Sequence, residues 1–179
     1  MKSHFGRCFS ESGEDLALSI FNAHFQKIDK QCVKTADWIS DDHRLVLEIK
    51  SLAASNVEPK NISLEHAIKE GIRHGNSKLS KDSIDYLKSA YKIDGSCKYY
   101  GVVTLEFDFY SRINTDRIEL NDIDLGKLDG LVLLFKPVQM LGDGKTIQLK
   151  PVIVTKTEHS DVSMFNCDVN LYPIEVITS

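Results

Sequence analysis

Two carboxylates and an ammonium interrupt a stretch otherwise suited to a protein core. In ADWISDDHRLVLEIKS, residues 36–51, Asp37 precedes a short polar turn, and Glu48 and Lys50 break the apolar run beyond it. Residues two apart in a strand share a face. Leu45, Leu47 and Ile49 therefore form one stripe, and Val46, Glu48 and Lys50 the other. If residues 31–39 and 43–51 are strands paired through Ser40-Asp41-Asp42, then Asp37 and Glu48 converge. Charges buried without partners are costly, so such groups are paired, metal-bound or set in a cleft. A divalent cation relieves the repulsion between two carboxylates. Mg²⁺ suits the pair because it accepts one or two carboxylates and keeps waters and substrate phosphate as further ligands. A neighbouring lysine can handle the attacking water or the charge developing on phosphate. Phosphodiester hydrolysis needs these parts. The alternative is a hairpin whose Glu48–Lys50 pair lies on a solvent face.

A third acid belongs with them. Residues 11–27 read as a helix, with Ser12 as cap, Asp15 completing a capping box, and Leu18, Phe21 and Phe25 at helical spacing. On that helix Glu14 shares the side of Leu18, Phe21 and Phe25 and would face the sheet. Its other reading is a first-turn acid complementing the helix dipole.

The elements that must position these groups follow in order. Ser63 opens a helix with Leu64, Ala67, Ile68, Gly71 and Ile72 on its apolar face, ended by His74-Gly75-Asn76. Another helix is expected over 81–92. Strands are expected at 99–109, 117–120, 128–138 and 145–156, with an edge strand in NLYPIEVIT, whose proline cannot donate to a ladder. GDGKT at 142–146 reads as a turn between strands, because Gln139 occupies the place of the first glycine of a P-loop. This order predicts a mixed α/β domain spanning 1–179, with core motifs in 11–110 and additional strands in 111–179, built on a central mixed sheet flanked by helices.

Bulk properties agree with a soluble, cytoplasmic protein. The 179 residues are 42% hydrophobic and 27% charged, with a net charge of −4. No run reaches the roughly 18 apolar residues of a membrane helix, and the N-terminus lacks a signal-peptide core. The four cysteines show no CxxC pair, which argues against a zinc site or a disulfide framework.

Taken together, GEDLALSIF, TADWI and LVLEIKS resemble the PD-(D/E)xK, restriction-endonuclease-like nuclease superfamily. That family places an acid on a leading helix, an aspartate on a first core strand and (D/E)-x-K on the next. The matching positions here are Glu14, Asp37, Glu48 and Lys50. YYGVVTLEF would supply the next core strand. Ala36 stands where the family often has proline, and no QxxxY pattern follows the lysine. The resemblance implies a Mg²⁺-dependent DNA endonuclease, with Mn²⁺ able to substitute, of a kind used in restriction, phage defence or recombination. Asp37 and Glu48 would be metal ligands, Glu14 an auxiliary ligand and Lys50 the catalytic lysine. It implies DNA as partner and a homodimer, or action inside a larger protein complex. The competing function is a non-catalytic nucleic-acid-binding or adaptor domain that retains the fold.

Between residues 60 and 98, eight basic side chains face five acids, so this segment is locally basic within an acidic chain. Lys69, Arg73, His74 and Lys78 are its candidates for phosphate contact. The alternative is a solvated helical face carrying Glu65–Lys69 and Glu70–His74 pairs.

Overall fold

A computed structural model describes residues 6–8, 13–30, 33–52, 64–105, 123–136, 138–140, 142, 144–147, 150–156 and 162–174. The elements are β1 (Gly6–Cys8), α1 (Gly13–Ser19), β2 (Phe25–Lys27), β3 (Trp38–Ser40), β4 (Leu45–Leu52), α2 (Leu64–Ser77), α3 (Lys81–Tyr91), β5 (Lys98–Leu105), β6 (Gly130–Phe135), β7 (Val138–Met140), β8 (Thr146–Ile147), β9 (Val152–Lys156) and β10 (Asn170–Ile174). The protein is mixed α/β. A seven-stranded sheet runs in the order β10-β9-β6-β5-β4-β3-β2, and β1, β7 and β8 form a small second sheet.

Within the large sheet, β2, β3 and β4 are antiparallel neighbours. The chain then crosses through α2 and α3 to β5, which lies parallel to β4, and β6 lies parallel to β5. A crossover of this length is what parallel pairing requires. Central strands of such sheets are covered on both faces and read as nearly continuous apolar runs. On one face Leu45, Leu47 and Ile49 pack with Leu16, Ala17, Ile20 and Phe21 of the α1 segment and with Tyr100 and Val102 of β5. On the other, Val103 and Leu105 pack with Ala67 and Ile68 of α2, and Val46 packs with Leu87 of α3. The alternation expected for residues 45–50 therefore holds, with protein rather than water on both sides.

Other expectations need correction. The helix expected over 11–27 is α1 alone, and residues 11–12 lie outside the described residues. Phe21 instead makes an antiparallel bridge to Phe165, and the Asn22 amide donates to Met164 O at 2.7 Å. Phe25 begins β2, which pairs with β3. Phe21 still meets Phe25 edge-on at 5.9 Å and Phe165 at 5.2 Å. The spacing of four that resembled a helix thus serves an aromatic cluster. Of the strand expected at 31–39 only Trp38–Ser40 forms, while residues 31–32 are not described.

The turn is as expected: His43 N donates to Ser40 O at 2.8 Å, with His43 at a φ of 57°. The helix at 81–92 is α3, closed by Lys92 in the left-handed region. The 99–109 strand is β5, which starts one residue earlier and is described to Leu105. The runs 128–138 and 145–156 each divide between the two sheets, as β6 and β7 and as β8 and β9. GDGKT lies between the antiparallel pair β7 and β8, with Gly142 and Gly144 both at positive φ. β10 is an edge strand, as expected, with Pro173 opposite Thr155 of β9. The strand expected at 117–120 lies outside the described residues.

Candidate active site

The register of β3 on β4 pairs Trp38 with Leu47 and Ile39 with Val46, and Asp37, just before β3, lies near enough to Glu48 for its charge to act on that carboxyl. The Asp37 amide donates to Leu47 O at 3.2 Å, and Asp37 O accepts from the Ile28 amide at 2.9 Å. The backbone thus fixes Asp37 at the end of β3. Its carboxylate accepts from Lys30 Nζ. Nothing in the sequence marks Lys30 for this role, since it sits in the irregular link between β2 and β3.

Glu48 lies on the α2 side of β4 and is 4% exposed. Its Oε1 stands 2.7 Å from His74 Nε2 and 3.0 Å from Lys78 Nζ. Its Oε2 is buried and has no hydrogen-bond partner among the described residues. Burial pushes the carboxyl up to about 7, helped by the nearby Asp37 charge and opposed by the bond from Lys78. His74 moves down, because burial and the charges of Lys50, Lys78 and Arg73 disfavour its cation. The short His74–Glu48 contact alone would favour imidazolium. With three cations around it, we take the imidazole as neutral and donating from Nε2 at neutral pH, with Lys78 as the charged partner. Lys50 shares the Glu48 face of β4, is half-buried, and has no ion-pair partner among the described residues.

Close approach of α2 creates this arrangement. A Cβ on Gly71 would lie 2.4 Å from Val103 Cγ2, and one on Gly75 would lie 2.9 Å from Leu128 Cδ1. Gly71 lets the helix sit directly on β5 and β6, and Gly75 lets it close on Leu128. His74 and Lys78, four apart on an adjacent stripe, then reach β4. The sequence signal for this was the pair of glycines in the same spacing as His74 and Lys78.

Of the four expected phosphate contacts, His74 and Lys78 are turned onto Glu48. Arg73 points outward and pairs with Glu70 at 2.9 Å, in place of a Glu70–His74 pair. Lys69 is exposed on α2. Glu14 is half-buried in the first turn of α1. That helix covers the Leu45–Leu47–Ile49 face, opposite Glu48. The structure therefore brings Asp37, Glu48 and Lys50 together and does not gather Glu14 with them. Among the described residues no three His, Cys, Asp or Glu side chains form a metal-holding group.

Two carboxylates still fit one hard cation. The Oε2 of Glu48 is an acceptor without a donor among the described residues, the Asp37 charge is near, and Mg²⁺ would complete its shell with water. No family model, curated protein or solved structure matches this chain.

Proposed function

We propose that the protein is a metal-dependent endonuclease that hydrolyses DNA phosphodiester bonds, with Asp37 and Glu48 holding Mg²⁺ or Mn²⁺ and Lys50 as catalytic lysine. The observation that carries this reading is the buried Glu48 Oε2, without a hydrogen-bond partner among the described residues, in a carboxyl that feels the charge of a second acid, Asp37, and stands two residues before a lysine on the same strand face. The order of α1, the Asp37 strand, the Glu48–Lys50 strand and a parallel β5 beyond α2 and α3 agrees with the resemblance to PD-(D/E)xK nucleases.

A bound divalent cation would supply Lewis acidity toward phosphate and a lowered pKa for its water. The protein's own groups do the rest. Asp37 and Glu48 set the position of the cation. Lys50 places positive charge where negative charge grows on the phosphoryl oxygens. Lys30 and Lys78 limit the repulsion between the two carboxylates and make the cluster attractive to a phosphate backbone. DNA as substrate, a homodimer as the cutting form and a cytoplasmic location belong to the same proposal. Among the described residues no helix is long and apolar enough to cross a membrane.

One observation favours the second reading, a non-catalytic DNA-binding or adaptor domain: Lys78 already neutralises Glu48. A panel of plasmid, linear, branched and single-stranded DNA, incubated with Mg²⁺ or with EDTA, separates the two. Cutting that depends on Mg²⁺ is expected. Salt-sensitive binding with no cleavage of any substrate supports the adaptor.

A further inference from the structure

Glu48 presents its two oxygens to different surroundings. Oε1 has two nitrogens close to it at the end of α2, His74 Nε2 at 2.7 Å and Lys78 Nζ at 3.0 Å, whereas Oε2 is buried with no hydrogen-bond partner among the described residues. Both nitrogens are gathered on Oε1, and neither pairs with Oε2. We propose that His74 is a positioning residue that orients Glu48 for a divalent cation rather than a contact to DNA phosphate.

The inference rests on the metal site proposed above and adds the group that sets its geometry. Carboxylates that bind metals are commonly held by such outer hydrogen bonds, and losing one weakens metal affinity by roughly 10- to 100-fold. Lys78 shares the same oxygen, but its charge also repels an incoming cation. The imidazole, with its side chain 23% exposed, approaches Oε1 more closely than the ammonium does.

Titration of Mn²⁺ into the full chain, followed by electron paramagnetic resonance, tests this with four proteins: wild type, Glu48→Gln, His74→Gln and His74→Leu. Glutamine keeps a donor of similar reach, whereas leucine keeps bulk without one. His74→Gln should bind within about threefold of wild type, and His74→Leu should bind about 10- to 100-fold more weakly. Wild-type affinity in His74→Leu overturns the inference, provided Glu48→Gln has lost binding. A folded His74→Gln as weak as His74→Leu also overturns it. If the leucine variant does not fold, the glutamine variant decides alone, and weakening beyond about tenfold is fatal. Absence of Mn²⁺ binding by the wild type overturns the metal site itself, and this inference with it.

Discussion

Glu48 carries an energetic burden that makes it measurable without any assay of activity. Its carboxyl titrates near 7 in the fold against an ordinary 4.5, chiefly because burial disfavours the anion. Below pH 4.5 both folded and unfolded chains hold the proton. Between 4.5 and 7 the unfolded chain has released it and the folded chain has not, so stability falls as pH rises. Above 7 the loss is complete. The 4% exposure of Glu48 leaves little solvent screening, and the shift corresponds to about 3 kcal/mol. Urea denaturation in EDTA at a series of pH values should show Glu48→Gln gaining about that much relative to wild type between pH 4.5 and 8. Parallel stability curves would contradict the burial argument. Glu48 and Lys50 were legible in the sequence because strand parity sorts them onto one face, and Asp37 because a short polar turn folds its segment back toward theirs. Lys30 was not, since a lysine in an irregular segment gives no sign of which acid it will meet.

At the scale of elements, the site depends on how closely α2 approaches the sheet. Gly71 lies against Val103 and Leu131, with no room for a methyl group. Gly71→Ala gains about 1 kcal/mol of helix propensity and loses about 1–3 kcal/mol to overpacking. A net loss of about 1 kcal/mol is expected in chemical denaturation, together with weaker Mn²⁺ binding as His74 and Lys78 are displaced from Glu48. Unchanged stability and unchanged binding would show that the contact relaxes freely. α2 and α3 were legible from their apolar spacing, but α2 runs through His74-Gly75-Asn76, where its end was expected, to Ser77. The end of α1 was not, because Phe21 and Phe25 keep helical spacing while their backbones pair with Phe165 and with β3. Tertiary pairing from residues 162–166 overrode the local pattern, and no local window contains that information.

Across the whole molecule, the sheet divides the chemistry. α1 closes the Leu45–Leu47–Ile49 face, while α2 and α3 close the face that carries Glu48 and Lys50. The mixed architecture was readable from the order of helices and apolar runs. The sharing of two apolar runs between two sheets was not, because strand periodicity does not say which partner a strand takes. The same division explains why Glu14, placed on the inner side of its helix by a helical wheel, is not gathered with Asp37 and Glu48: facing the sheet is not the same as facing the site. A nuclease built on Asp37, Glu48 and Lys50 makes one requirement above the others. With Mg²⁺ and whichever DNA form the wild type cuts, Lys50→Ala should slow single-turnover cleavage by about 10²–10³-fold while its circular dichroism and unfolding midpoint stay close to wild type. Cleavage by a folded Lys50→Ala at the wild-type rate would contradict the account.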